Sequence, residues 1–424
     1  MRQRNRLLLL SLLLLIGCRG VLEVRFEREQ PPSAPVLGRV AYIAGGDVWV
    51  VDLDTDRQTR LTRNGHNSRP RWSADGRWIT YQKGDQLWVV EVDSGKEYLV
   101  SEKPASEFAW SPVENRLAYL STASGLVIWE PDQQNIQTLV ASEAGITLRH
   151  IAWKPTGKWL AYEAEQGEWR LCKVSLDGTS FTVYTTEGPT RSLRLAGWSA
   201  DAQWLLTWVG PASALAWADG LPLCLIPAMG GTPRCLEQKM LLHSDWLSWS
   251  PGGQLAFIAG EGRETWVNKG LALMDPASLA IHWLVDHTEQ APIQPAFSPD
   301  GERLAYSAGP PTPAEAAYAR RDAALAQRRI WVMEVSSGRR HRLTNEDRFR
   351  DERPLWSSDG GYILFTRLGE DGASLWLIGA DGSNLRQVVS ELTPKPDPTG
   401  EYGYVNWQVL WDWWQPQEIQ RIAP

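Results

Sequence analysis

The chain has 424 residues, with 43 Lys and Arg against 50 Asp and Glu and a formal net charge of −7. Its length exceeds one ordinary domain of roughly 100–200 residues, and 43% hydrophobic with 22% charged residues excludes a largely disordered chain. The acidic balance argues against a general nucleic-acid binder, which needs basic surface to displace phosphate counterions. Tryptophan is the outlier, at 24 residues against 7 phenylalanines.

Residues 1–18 read MRQRNRLLLLSLLLLIGC. Arg2, Arg4 and Arg6 precede an apolar run from Leu7 to Ile16, broken only by Ser11 and closed by Gly17 and Cys18. The run is too short for a bilayer span of roughly 20 residues. A basic head, a short apolar core and a small-residue stop make a secretory signal. Leu15-Ile16-Gly17-Cys18 resembles the lipobox of bacterial lipoproteins. That resemblance implies cleavage before Cys18, lipidation of Cys18 and membrane anchoring through acyl chains, on the periplasmic or extracellular side. The plain alternative is an ordinary signal with an incidental cysteine. Residues 1–17 are therefore expected to be signal. Residues 18–37, charged and then Pro-rich without a period, are expected to be a tether.

From residue 38 the chain repeats itself. Trp72-Ser73-Ala74-Asp75-Gly76 recurs in degenerate form at Trp110, Trp153, Trp198, Trp249, Phe297 and Trp356, at intervals of 38 to 59 residues. Each copy parses into four short strands. The first ends at the aromatic, and Ser-x-Asp-Gly makes the next turn, where Asp and Ser bond backbone and Gly accepts positive φ. Alternating β-branched and aromatic residues mark the strands that follow. Four-stranded repeats of this length are the signature of propeller blades. Most tryptophans fall at the same repeat positions, which points to packing between blades rather than to a ligand.

The long-period features follow in order. Cys224 and Cys235 flank a hairpin with Met229-Gly230-Gly231 at its tip. They are placed to face each other across antiparallel strands and form a disulfide, the alternative being two buried thiols. Cys172 is left over. The loops between second and third strands are long in the fifth, sixth and seventh blades: Val209–Leu221, Gly260–Gly270 and Gly309–Arg328. These should form a wall on one face. Within the last, Thr312, Pro313 and Glu315 read as a capped start, predicting a helix over 313–328. It reads as a lid or docking element, or as plain surface decoration, and deleting Thr312–Gln327 is expected to leave folding intact.

Residues 38–62 match strands two to four of a repeat but lack a first, and Gly403–Trp414 is a strand-like remainder. The two ends together complete an eighth blade. The expected fold is thus all-β, an eight-bladed propeller over 38–424 closed by a C-terminal strand, with seven blades as the alternative. The skeleton resembles the TolB-like propeller repeat of bacterial envelope proteins, itself akin to WD repeats. TolB proper carries an α/β domain before its propeller, whereas only a short tether is expected here, so the TolB role is not transferred with the resemblance. Propellers of dipeptidyl-peptidase-like enzymes also resemble these repeats, but those continue into a hydrolase domain.

A four-stranded meander alternates its loops between two faces. The residues just before each first strand should ring the channel mouth on the long-loop face. Three positions before the aromatic lie Arg69, Glu107, His150, Leu195, Trp246, Gln294 and Arg353. Arg149, Arg194, His243, Asp245, Asp351 and Glu352 are close by. Arg69, Glu107, His150, Trp246, Gln294 and Arg353 are taken as candidate partner-binding residues, against the plainer reading of a solvated rim. There is no Gly-x-Ser-x-Gly, His-Glu-x-x-His or phosphate-cradling loop. The expectation is a monomeric, lipid-anchored, non-catalytic propeller without a cofactor, which binds an envelope protein or peptide. A polysaccharide lyase or hydrolase, or a cell-wall carbohydrate binder, are the alternatives.

Overall fold

The structure, a computed structural model, describes residues 36–397 and 400–416. The expected signal peptide, Cys18 and the expected tether up to residue 35 lie outside the described residues. The folded body begins slightly earlier than the tether boundary at 37. Leu37 is buried, and its N–H donates to Asp54 Oδ1 at 2.9 Å.

The described residues form eight four-stranded antiparallel sheets arranged as the blades of a propeller. Seven are continuous in sequence. Blade 2, for example, runs Asn67–Trp72, Trp78–Lys83, Gln86–Glu91 and Glu97–Ser101. Blade 1 is assembled from both chain ends: Arg39–Ala44, Asp47–Asp52 and Gln58–Arg60 pair in order, and Trp411–Trp414 takes the inner position. The closing register is Arg39↔Trp414 to Tyr42↔Trp411. Eight sheets rule out the seven-bladed alternative.

Local chemistry explains why each copy folds the same way. In the first turn of blade 2, Asp75 Oδ1 accepts from Ser73 Oγ (2.7 Å) and from the Arg77 amide (2.9 Å), and Gly76 stands at φ +70. The same bonds recur at Ser298–Asp300 and Ser357–Asp359. Second strands are sandwiched between neighbouring blades and read as continuous apolar runs, such as Leu117–Ser121 and Leu255–Ala259, buried throughout. Outer strands such as Gln58–Arg60 are exposed.

The first-strand tryptophans tie blade to blade as well as filling the space between them. The indole N–H of Trp110 donates to Arg71 O, Trp153 to Ala109 O, Trp198 to Ala152 O and Trp356 to Ala296 O, at 2.9–3.2 Å. Each acceptor is the residue just before the equivalent aromatic of the preceding blade. Phenylalanine cannot donate this bond. At Phe297 the tie is made instead by the backbone N–H, to Ser248 Oγ at 3.1 Å.

Two expected elements differ. The helix over 313–328 is a 3-10 turn at Ala314–Ala316 and a separate short helix at Arg321–Ala326. The Ala317 carbonyl accepts from the Trp266 indole at 2.9 Å instead of from a following helical amide, which interrupts the helix. No side-chain cap forms at its start. At the C-terminal end only Trp411–Trp414 is a strand. Residues 400–410 turn away and cross the channel mouth.

Candidate functional site

The rim position three residues before each aromatic is a repeated backbone irregularity. Arg69, His150, Gln294 and Arg353 stand at φ +55, +44, +52 and +54. Strand pairing skips across each of them, and across Glu107 in blade 3. A bulge of this kind re-aims a side chain and leaves a backbone N–H without its ladder partner. The preceding blade supplies that partner. The Arg353 amide donates to Gln294 Oε1 (2.9 Å), the Ile151 amide to Glu107 Oε2 (3.2 Å) and the Leu195 amide to Glu163 Oε1. The rim is therefore a belt of bonds between blades, and its left-handed residues, each costing about 1–2 kcal/mol in backbone strain, are held by their neighbours.

The six candidate binding residues split into two groups. Arg69, Glu107 and His150 are half-buried on the open arc of blades 2 to 4. Arg69 lies over the Phe108 ring at 4.7 Å and reaches Gln82 Oε1 at 3.3 Å. His150 Nδ1 is 2.9 Å from Glu163 Oε2, and its Nε2 is 3.5 Å from Glu107 Oε1. Burial alone would lower this imidazole, but the bond to Glu163, its charge and that of Glu107 raise it above its ordinary value.

Trp246, Gln294 and Arg353 are instead interior, at 1%, 3% and 7% exposure. They do not present a free binding surface, because the segment before the closing strand covers them. Gln294 Nε2 donates to Asp245 Oδ2 (2.9 Å), and the Tyr404 hydroxyl donates to Asp245 Oδ1 (3.0 Å). Arg353 lies 4.0 Å over the Trp411 ring and donates to Trp411 O at 3.2 Å.

That covering segment, residues 400–410, plugs the mouth over blades 6 to 8. Its anchor is a buried charge cluster. Glu352 Oε1 accepts from Arg328 Nη1 (2.5 Å) and Arg350 Nε (2.7 Å), and Glu352 Oε2 accepts from the Trp407 indole (2.8 Å). Both arginines also donate to Gly403 O, at 2.9 and 2.8 Å. Burial would raise Glu352, but Arg350 and Arg328 hold it below the usual carboxylate range. On the far side, Arg71 clasps the Gln408 carbonyl and amide at 2.6 and 3.1 Å.

The three long loops do form one wall, and they interlock. Arg263 pairs with Asp219 at 2.7 Å, Tyr318 donates to Glu264 at 2.7 Å, and the Thr265 amide donates to Tyr402 O at 3.0 Å. Trp266, Val267, Ala317, Ala324 and Leu325 make a small core of their own. The insertion in the seventh blade is thus packed against the neighbouring loop through this small core.

Between wall, plug and blade 5 lies a cavity of about 650 Å³, lined by Arg194, Trp217, His243, Arg263, Tyr402 and Tyr404 among others. His243 stacks on Tyr404 (ring centroids 3.7 Å apart, 14° between planes). Burial, then the charges of Arg194 and Lys269, push its imidazole down to about 3, so it is neutral at physiological pH. Arg194 is half-buried, and its guanidinium makes no hydrogen bond or ion pair among the described residues. The cavity therefore offers the Arg194 guanidinium, aromatic walls and neutral polar groups, with the exposed Glu401 carboxylate also in its lining. It suits an anionic group attached to an apolar body. Among the described residues no cluster of three His, Cys, Asp or Glu is placed to hold a metal, and no helix is long and apolar enough to cross a membrane. The sequence pointed to Arg194 and His243 only as neighbours of the rim. Trp217, Arg263 and Tyr404 carried no repeat signal, because they belong to insertions and to the plug.

No protein-family model matches the chain. An uncharacterized protein of Agrobacterium fabrum is 26% identical over 137 residues, 27% of this chain and 46% of that protein. The Tol-Pal system protein TolB of Desulfosudis oleivorans is 28% identical over 123 residues, 24% of this chain and 28% of that protein. The chain matches less than half the length of either relative. Among solved structures, dipeptidyl peptidase 4 of Porphyromonas gingivalis superposes with a TM-score of 0.58 at 10% identity, over 81% of this chain and 56% of that one. At that identity the likeness is one of fold alone. The described chain is an eight-bladed β-propeller with a stretch of 123 residues similar to TolB.

Proposed function

We propose that this propeller is a non-catalytic binding scaffold of the cell envelope, which holds an acidic segment of a partner protein in the mouth cavity. The observation that carries the reading is the unpaired Arg194 guanidinium facing an aromatic-lined cavity. A half-buried guanidinium with no carboxylate partner among the described residues can donate a charge-assisted pair of bonds to a ligand's carboxylate. Arg69, Glu107 and His150 extend the surface along blades 2 to 4, where they stay half-buried rather than covered. The wall and the buried Glu352 cluster keep this site rigid, which limits the ordering cost of binding. The similarity to an envelope protein, the signal-like first 17 residues and the Cys224–Cys235 disulfide favour an exported chain, with Cys18 as its lipid anchor.

The test is affinity capture from envelope extract with the full chain and with Arg194→Glu. A partner retained by the parent and lost by the variant, with melting temperature unchanged, is expected. Equal capture by both overturns the site. Release of oligosaccharide products by the parent overturns the non-catalytic reading in favour of a polysaccharide lyase or hydrolase. Retention of cell-wall polymer without product favours carbohydrate binding.

A further inference from the structure

We propose a second site on the opposite face, between the outer edge of blade 4 and the turns of blade 5, that takes a small anionic amphiphile: a carboxylate, sulfonate or phosphate head on an apolar body. The groove encloses about 910 Å³ and is lined by Lys154, Lys158, Lys173, Trp159, Phe181 and Met229 among others. That volume suits a compact organic ligand.

Its charge is unbalanced. The chain is acidic overall, yet three lysines meet here and none forms an ion pair among the described residues. Lys173 Nζ donates to Ala228 O at 2.7 Å and lies over the Trp159 and Phe181 rings at 5.3 and 5.6 Å. Lys154 lies over Trp198 at 5.7 Å. Burial, and to a lesser degree the charge of Lys154, pushes the Lys173 ammonium down. The carboxylate in the lining, Asp177, is occupied by its own turn. It accepts from Ser175 Oγ and the Thr179 amide, which hold it down to about 2.

The apolar half is as unusual. Phe181 is 50% and Met229 88% exposed. Met229 sits at the tip of the hairpin whose strands are tied by Cys224–Cys235. A polarizable side chain on a cross-linked hairpin, facing an aromatic floor, makes an adaptable apolar wall on a fixed base. The head group would sit among the three ammoniums, and the body against Trp159, Phe181 and Met229. The site is a recess between blades, which fits a single dissolved molecule rather than a flat bilayer.

The test is fluorescence titration of the full chain with 8-anilinonaphthalene-1-sulfonate, an aromatic anion that brightens in apolar surroundings. Saturable binding is expected at the groove, weakened at least about tenfold in the Lys154→Glu/Lys158→Glu variant, whereas Arg194→Glu should remove only the separate fraction of probe held in the mouth cavity and leave the lysine-dependent fraction in place. Phe181→Ser should lose most of the enhancement at an unchanged melting temperature. Dodecanoate below its micellar concentration should displace the probe. Equal affinity in parent and double-lysine variant overturns the site. Displacement only by phosphatidylglycerol vesicles, or only by polyglutamate, overturns the small-molecule reading in favour of a bilayer or an acidic protein.

Discussion

Trp72 and Asp412 are 340 residues apart and joined by two hydrogen bonds. The Trp72 backbone N–H donates to Asp412 Oδ2 at 3.0 Å, and its indole N–H to Asp412 O at 3.2 Å. This is the indole tie between blades, made here across the seam where the two chain ends meet. Trp414 repeats the gesture two residues later, donating to Ala74 O at 3.0 Å. The ring thus closes with the same chemistry that builds it.

The seam can be tested from both sides. Asp412→Ala should lower stability by about 1–3 kcal/mol, since the Trp72 amide loses its partner. Gly76→Ala should cost at least as much. A Cβ there would stand 2.4–2.7 Å from Trp414 ring carbons, on a backbone at φ +70. Urea unfolding of both variants measures this; an unchanged midpoint for each would show that the seam contributes nothing.

The indole tie predicts a specific cost for Trp153→Phe. The ring remains but the bond to Ala109 O is lost. A loss of about 1 kcal/mol is expected, against about 3–5 kcal/mol for Trp153→Ala. If phenylalanine is neutral, packing alone explains the tryptophan excess.

Removing the charge that holds the plug should be more damaging. Glu352→Gln leaves Arg328 and Arg350 buried without a carboxylate. A loss of about 3–5 kcal/mol is expected, read as a lower melting temperature. The mouth should open, so that protease cuts within residues 400–410 before the blades unfold. Cutting elsewhere first would contradict the plug's dependence on this cluster.

The open arc carries a pH signature. The His150 imidazole is raised in the folded state by Glu163 and Glu107, against the effect of burial. Its contribution is therefore fully present below the unfolded value of about 6.5 and is lost as pH rises through the raised folded value. Melting temperature measured from pH 5 to 9 should show this decline in the parent, and His150→Gln should flatten it. An identical profile in both would remove His150 as its source.

The blades, their number and the closing partner were legible because the Ser-x-Asp-Gly turn and the first-strand aromatic recur at every copy. The rim positions were legible for the same reason, though not which of them would be covered. Residues 403–410 look strand-like in sequence because Val405, Trp407 and Val409 alternate with Asn406 and Gln408. They serve instead as a plug, held by Arg328, Arg350 and Arg71 from blades 7, 8 and 2. Nothing in the local pattern signals that contact. The 313–328 helix was over-read in the same way: its Ala-rich composition favours helix, but Trp266, 51 residues away, takes the Ala317 carbonyl.

The central claim is that a partner enters the mouth cavity beside Arg194. Photo-cross-linking in intact envelopes tests it most directly, with the photoreactive side chain placed at Trp217 on the cavity wall or at Ile136 on an outer strand. An adduct from position 217, absent from position 136 and lost on adding Arg194→Glu, is the predicted result. An adduct at 217 that survives Arg194→Glu, or one from position 136 alone, would contradict the account.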